Sequence, residues 1–135
     1  MDRRPIAIMG DGGFWHNGLI TGVASNLFNK GDGVLIIMQN GYASATGQQY
    51  IPSSAMSRSG SAPGMDIEKT LRAMGVHWLR KVRTYSVSVM VNTLKEAMKT
   101  AERGLKVIIA DGECQLARQR RVRVEDAESS SVANA

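Results

Sequence analysis

The chain has 135 residues, of which 43% are hydrophobic and 21% charged, and its formal net charge is +5. This length predicts a single domain, and the composition is that of an ordinary soluble protein. No apolar run approaches the roughly 18 residues of a membrane span, and the N-terminus lacks a signal peptide, so we expect a cytoplasmic protein without membrane contact. The single cysteine, Cys114, excludes an internal disulfide, a cysteine-based zinc site and an iron–sulfur cluster held by this chain alone.

The first half of the chain predicts two buried strands joined by a helix. Short apolar runs at residues 5–9 and 34–38 are typical of buried strands, and the second run favours a strand covered on both faces of a sheet. Between them, residues 17–29 carry apolar side chains at helical spacing. The following stretch, residues 40–65, is rich in Gly, Ser, Ala and Gln and predicts a loop of the length that is usually functional or disordered.

The second half predicts a similar alternation of helices and strands. Helices are expected at residues 67–74, after an N-cap at Asp66, and at 86–103, with strands at 76–79 and 105–110. This order favours an α/β domain with an open parallel sheet and flanking helices. We expect that domain to cover residues 1–117. Residues 118–135 are expected to form a flexible tail, basic and then polar, with disorder over 129–135.

Oxygen-bearing side chains follow the first two predicted strands. Asp11, within Gly10-Asp11-Gly12-Gly13, comes after the first strand, and Asn40 comes after the second. Because the carboxyl ends of parallel strands lie at the same edge of a sheet, these residues are expected to meet there. A carboxylate, an amide oxygen and a backbone carbonyl near Tyr42 are hard ligands suited to Mg²⁺ that also holds a phosphate ester.

The residues beside Asp11 favour an anionic ligand. Gly12 and Gly13 leave space where a phosphate approaches the backbone, and a helix starting near residues 16–17 directs its free N–H groups at the anion. His16, at this helix entry, contacts the cofactor or substrate in one interpretation and pairs with backbone groups as a cap in the other.

These motifs resemble those of a known family. Gly10-Asp11-Gly12 followed by Gln39-Asn40 resembles the thiamine diphosphate-binding motif, whose usual form is GDG…NN. Residues 10–49 are similar to the diphosphate-binding domain of indolepyruvate ferredoxin oxidoreductases, in an aromatic-His-x-Gly helix entry at 14–18 and a loop ending in Thr-Gly-x-Gln at 40–49. The resemblance covers residues 5–123, including the segment 110–121.

The resemblance implies the thiamine diphosphate-binding fold and a set of site residues. Asp11, Asn40 and the carbonyl of Tyr42 would hold Mg²⁺ and the diphosphate of the cofactor, and His16 would be catalytic. The remaining cofactor contacts would come from Gly10, Gly12, Gly13, Phe14 and, on a loop that either covers the cofactor or is solvated, Thr46. The implied reaction is oxidative decarboxylation of an aryl 2-oxo acid, with electrons passing through iron–sulfur clusters to ferredoxin and the acyl group to coenzyme A.

The sequence departs from the family pattern in ways that imply a partner. Gln39 replaces the first Asn of the usual pair, and the aminopyrimidine domain with its activating glutamate is missing, as are cluster-binding cysteines. Elements that precede the first strand in the family are also missing from the sequence. We therefore expect an N-terminally incomplete domain that functions only in an oligomer, as one subunit of a split complex or as a fragment. The iron–sulfur clusters would lie on other chains or domains.

Two alternatives remain open from the sequence. One is a non-catalytic truncated module that docks on a partner or on nucleic acid through Arg118, Arg120, Arg121 and Arg123. Nucleic acid is the less favoured partner, because no aromatic residues interleave with these arginines and acidic residues follow them. The other alternative is a thiamine diphosphate-dependent decarboxylase domain whose reaction is not oxidative.

Overall fold

The computed structural model describes residues 3–43, 49–57, 59–61, 64–113 and 115–133. Its strands are β1 (Ile6–Gly10), β2 (Val34–Gln39), β3 (Tyr42–Ala43), β4 (Gln49–Tyr50), β5 (Met56–Ser57), β6 (Gly60–Ser61), β7 (Trp78–Arg83) and β8 (Lys106–Asp111). Four of them form one parallel sheet in the order β1-β2-β8-β7. The predicted α/β architecture with an open parallel sheet is therefore confirmed. The long 40–65 stretch contains two small antiparallel pairs, β3–β4 and β5–β6.

The helices flank this sheet. They are α1 (Asp11–Gly13), a π-helical stretch (Phe14–Ala24), α2 (Ser25–Phe28), α3 (Ile67–Ala73), α4 (Val87–Lys99) and α5 (Gln115–Ala133). The first three are continuous, and we call them together the first helix. The expected start of this helix at residue 17 is wrong by six residues. Gly12 and Gly13 are part of the first helical turn, where the carboxylate of Asp11 accepts a hydrogen bond from the N–H of Gly12 at 2.9 Å.

The strand predicted at residues 76–79 is longer and lies later in the chain, at β7. Its last four residues include Arg80, Lys81 and Arg83, and these charges concealed the strand in the sequence. β7 is an edge strand of the sheet, where exposed charged side chains protect against pairing with another chain. The helix predicted at 86–103 corresponds to α4, which is shorter and ends at Lys99.

Alternate residues of the strands form two separate cores. On one face Leu35, Ile37, Val107 and Ile109 are buried against the first helix and α3. On the other face a second core packs against α4; it contains Val34, Trp78, Ala97 and Ile108. Both faces of the central strands β2 and β8 are thus covered over most of their length, as their apolar runs predict. The prediction that residues 5–9 form a buried strand is wrong, because Ile6 and Ile8 of the edge strand β1 are 46% and 63% exposed.

The C-terminal segment corrects one expectation. Residues 129–133, expected to be disordered, continue helix α5, whose side chains from residue 118 onward are exposed. The hydroxyls of Ser129 and Ser130 donate to the carbonyls of Glu125 and Asp126, each at 2.8 Å. The division at residue 117 and the docking role of the arginines stay predictions. Cys114 lies outside the described residues.

No helix within the described ranges is both long enough and apolar enough to cross a membrane.

Candidate functional site

The carboxyl ends of β1 and β2 bring the two predicted oxygen ligands together. The strands pair in register from Ile6 with Val34 to Gly10 with Met38, so Asp11 and Asn40 follow at the same edge. The Oδ2 atom of Asp11 accepts hydrogen bonds from the backbone N–H groups of Asn40, at 2.9 Å, and Gly41, at 2.8 Å. The expectation that the two strand ends meet is therefore confirmed.

Asp11 is a buried carboxylate with backbone donors around it. Its residue exposure is 1%, and its Oδ1 atom accepts the Gly12 N–H. In the part of the chain that the structure describes, no Lys or Arg forms an ion pair with it. Burial raises the pKa of Asp11 above its ordinary value, while the hydrogen bonds from Gly41, Asn40 and Gly12 act in the opposite direction. A bound cation would stabilise the ionised form of this carboxyl.

Residues 40–42, which we call the 40–42 loop, have a defined conformation. The side-chain Oδ1 of Asn40 accepts the backbone N–H of Tyr42 at 3.0 Å, which assigns the amide oxygen to this position. An amide oxygen has two lone pairs, so it can accept this bond and still bind a cation. Gly41 has a φ of +82°, in the left-handed region where a side chain is strained.

A cavity of about 530 Å³ lies at this edge of the sheet. Of the eight predicted site residues that the structure describes, seven line it, and they are Gly10, Asp11, Gly12, Gly13, His16, Asn40 and Tyr42. His16 is exposed and sits beyond the first turn of the first helix, so it is not at the helix entry as expected. Its predicted catalytic role stays a prediction.

The eighth of these residues, Phe14, does not line this cavity. Phe14 is 0% exposed and belongs to the hydrophobic core, where its ring makes an edge contact with Trp15 at a centroid distance of 5.0 Å. Its side chain thus packs in the core, and its predicted contact with a cofactor stays a prediction. Thr46 lies outside the described residues.

Two serines near the cavity carried no signal in the sequence. Ser54 is 3% exposed and donates its hydroxyl to the carbonyl of Gly41 at 2.5 Å. The hydroxyl of Ser53 accepts the indole N–H of Trp15 at 2.9 Å. Serines in a Gly- and Ser-rich loop are common, so only the fold reveals these partners.

A second cavity, of about 500 Å³, opens at the carboxyl ends of β2, β8 and β7. Gln39, Asp111 and Arg83 are neighbours in register across these strands and line it. The signal that could have found Asp111 is the one that found Asp11, namely a polar residue at the end of an apolar strand. Sequence reasoning did not apply it to the later strands.

Residues 1–110 match the model of the thiamine pyrophosphate enzyme C-terminal TPP-binding domain. The chain belongs to this family. Thiamine pyrophosphate is thiamine diphosphate, so the cofactor class that the GDG motif suggested is confirmed.

The curated relatives of this TPP-binding domain include indolepyruvate oxidoreductase subunits IorA. The subunit of Pyrococcus horikoshii is 28% identical over 120 residues, which are 89% of this chain and 18% of the relative. That of Archaeoglobus fulgidus is 32% identical over 117 residues, 86% of this chain and 18% of the relative. The resemblance to the indolepyruvate oxidoreductase family is confirmed. The chain spans less than a fifth of the length of these relatives.

Solved structures show the same fold. A 2-oxoglutarate:ferredoxin oxidoreductase from Magnetococcus marinus superposes with a TM-score of 0.66 at 19% identity, over 78% of this chain and 38% of that chain. A putative thiamin diphosphate-dependent enzyme from Mycobacterium smegmatis has a TM-score of 0.55 at 23% identity, over 84% and 19%. At these identities the likeness concerns the fold alone.

The donor set at the cavity fits a divalent cation held together with a diphosphate. Within the described residues, no group of three or more His, Cys, Asp or Glu side chains could hold a metal ion. Asp11 is instead a single carboxylate beside amide and carbonyl oxygens. Mg²⁺ usually takes only one or two carboxylates from the protein and receives its other ligands from phosphate and water. The residues present therefore suit a cofactor-bound Mg²⁺ better than a metal held by protein alone.

Proposed function

We propose that the chain is the thiamine diphosphate- and Mg²⁺-binding domain of a 2-oxo acid:ferredoxin oxidoreductase that decarboxylates an aryl 2-oxo acid such as indolepyruvate. The observation that carries the proposal is the buried Asp11 carboxylate, which has no cationic partner among the described residues and is bonded to the backbone of the 40–42 loop. The names of the curated relatives support the choice of substrate class.

The cavity residues have separate roles in this proposal. Asp11 is the charged ligand of Mg²⁺, and the Asn40 Oδ1 atom and the Tyr42 carbonyl are its neutral ligands. The glycines on either side of Asp11 leave room for the diphosphate. His16 contacts the cofactor or the substrate from the exposed side of the cavity. When bound, thiamine diphosphate supplies a nucleophilic carbon and an electron sink for decarboxylation.

The rest of the reaction is assigned to other domains or subunits. The whole sequence contains one cysteine, too few to hold an iron–sulfur cluster, so electrons must leave toward a partner that carries the clusters. A partner domain supplies the aminopyrimidine site and the contacts for coenzyme A and ferredoxin. This assignment agrees with the greater length of the curated relatives, because the chain spans only 18% of the Pyrococcus horikoshii subunit.

The proposal is tested by replacing Asp11. We expect the full chain to bind thiamine diphosphate in a Mg²⁺-dependent manner, measured by titration calorimetry and by broadening of the cofactor ³¹P signals when Mn²⁺ replaces Mg²⁺. Asp11→Asn should weaken binding at least about tenfold, equivalent to about 1.4 kcal/mol, because it removes the only charged ligand.

Asp126→Asn is the matched control, since it removes an exposed carboxylate on α5 away from the cavity. It should leave affinity and Mg²⁺ dependence unchanged. Circular dichroism verifies that both variants are folded. Equal affinity of Asp11→Asn and the unmodified chain, or binding that does not require a divalent cation, would contradict the proposal.

A further inference from the structure

Residues 51–54 form a turn that contacts both the 40–42 loop and the first helix. Its backbone closes through the N–H of Ser54, which donates to the carbonyl of Ile51 at 2.9 Å, and the hydroxyl of Ser54 accepts the Ile51 N–H at 2.9 Å. Ile51 and Ser54 are buried, with exposures of 6% and 3%. The Ser54 hydroxyl is therefore fixed as an acceptor toward its own turn and has its proton free for one outside partner.

That outside partner is the carbonyl of Gly41, 2.5 Å from Ser54 Oγ. The same peptide unit, between Gly41 and Tyr42, donates its N–H to the Asn40 Oδ1 atom at 3.0 Å. Ser54 therefore holds one side of a peptide plane whose other side orients the Asn40 amide. The preceding N–H, that of Gly41, donates to Asp11 Oδ2 at 2.8 Å. The Ser54 hydroxyl is thus bonded to the 40–42 loop, which carries the candidate metal ligands Asn40 and Tyr42.

The turn also contacts the first helix. Ser53 accepts the Trp15 indole N–H at 2.9 Å, and a Cβ built on Gly12 would meet a methyl carbon of Ile51 at 3.8 Å. The turn consequently touches both the element that carries Asp11 and the loop that carries Asn40. Its distance from each is set by hydrogen bonds and by packing.

We propose that Ser54 is a positioning residue for the metal site, which aligns the Asn40 amide oxygen and the Tyr42 carbonyl by holding the peptide between Gly41 and Tyr42. This inference rests on the proposed function and extends it to a residue that touches neither metal nor cofactor. Gly41 has no side chain that could restrain this peptide, and its φ of +82° lies in the left-handed region. Without the Ser54 hydrogen bond the peptide can rotate, and the Asn40 oxygen then loses its donor from Tyr42.

The test compares Ser54→Ala with Ser54→Thr in the full chain. The Mg²⁺ concentration that half-saturates binding of thiamine diphosphate should rise about tenfold in Ser54→Ala, the effect of one lost hydrogen bond of ordinary strength. Ser54→Thr retains the hydroxyl and should restore the Mg²⁺ requirement to within about threefold. The amide proton signal of Tyr42 should shift in Ser54→Ala and return in Ser54→Thr.

Ser57→Ala is the matched control. The Ser57 hydroxyl also donates to a glycine carbonyl, that of Gly60 at 3.1 Å, but in the β5–β6 pair away from the cavity lining. A role of Ser54 in folding alone would lower the melting temperature without changing the Mg²⁺ requirement of the folded protein. An unchanged requirement in Ser54→Ala, or a rise equal to that of Ser57→Ala, would overturn the inference.

The two proposals fail in different ways. If the unmodified chain binds the cofactor through Asp11 and Ser54→Ala binds it equally well, only the positioning role is wrong. If Asp11→Asn binds like the unmodified chain, the metal site itself is wrong, and the role of Ser54 falls with it.

Discussion

Two adjacent glycines in the first helix have different physical reasons to be glycine. A Cβ built on Gly12 would lie 3.1 Å from the Cβ and 3.3 Å from the Cα of Ala43, so Ala43 in β3 would have to move. A Cβ on Gly13 would have nothing within 4 Å, and the φ of −62° and ψ of −38° of Gly13 suit any residue in a helix. Packing against Ala43 therefore explains why residue 12 is a glycine. For Gly13 we assign a different reason, which is space for a ligand.

Substitution by alanine should separate these two reasons. Gly12→Ala is expected to lower the free energy of unfolding by about 1–3 kcal/mol, the usual cost of overpacking. Gly13→Ala should raise it by up to about 1 kcal/mol, because alanine is the better helix former, while weakening cofactor binding. Urea denaturation and calorimetry measure the two effects. Unchanged affinity in Gly13→Ala would refute its predicted place at the diphosphate.

One carboxylate, that of Asp32, joins several elements at the end of the sheet where the strands begin, opposite the cavity. Asp32, between the first helix and β2, pairs with Arg4 at 3.2 Å, with Arg103 at 3.7 Å and with the fully buried Lys106 of β8. Arg4 also donates to the carbonyls of Ala97 and Met98 at the end of α4, each at 3.0 Å. These bonds anchor the start of the chain, β8 and α4 to the same loop.

Asp32→Ala should be among the most destabilising loop substitutions, because it leaves the ammonium of Lys106 buried without its carboxylate. We expect a loss of about 3 kcal/mol in the free energy of unfolding at pH 7, measured by urea denaturation. Glu68→Ala, which breaks the surface pair between Glu68 and Arg72, should cost less than about 1 kcal/mol. A loss for Asp32→Ala no larger than that control would contradict the prediction.

The same network predicts how stability changes with pH. The hydrogen bond from Lys106 lowers the pKa of Asp32 below its ordinary value of 3.8. The native state therefore holds the proton less tightly than the unfolded chain does. The contribution of Asp32 is complete well above pH 3.8 and is lost as the pH falls toward the lowered pKa. The stability difference between the unmodified chain and Asp32→Ala should shrink correspondingly in acid.

At the scale of the whole molecule, β1 is an edge strand with an apolar outer face. Ile6 and Ile8 are 46% and 63% exposed, and Met38, on the same face of the neighbouring strand, is 51% exposed. Helix α4 covers the other strands on this face and leaves these side chains open. An exposed apolar edge of this kind favours association with another chain.

We therefore expect the purified chain to self-associate in a concentration-dependent manner. Ile8→Lys places a charge on the edge strand and should lower the apparent mass in size-exclusion chromatography with light scattering. Val132→Lys, at a 77% exposed position of α5, adds the same charge elsewhere and should leave the apparent mass unchanged. A monodisperse monomer that Ile8→Lys does not alter would contradict this prediction.

Local patterns were sufficient for much of the fold. The apolar runs of β1, β2 and β8 have no charged interruption before their ends, apart from Lys106, so each could be recognised without its neighbours. β7 could not, because its charges are tolerated only at an edge, and edge position is a property of the assembled sheet. The start of the first helix was missed for a similar reason. Two glycines predict a turn, whereas in the folded chain they belong to the first helical turn, where the Asp11 carboxylate accepts the N–H of Gly12.

The sequence by itself determined the fold class and the pairing of Asp11 with Asn40, because strand order in a parallel sheet places successive strand ends at one edge. The cofactor class followed from the resemblance of Gly10-Asp11-Gly12 and Gln39-Asn40 to a known binding motif. Only the tertiary structure decided that Phe14 belongs to the core, that Lys106 needs Asp32, and that Ser54 holds the 40–42 loop. Those three facts depend on contacts between residues distant in the chain. Such contacts are created by packing and hydrogen bonding in the folded state, and no local pattern of residue types encodes them.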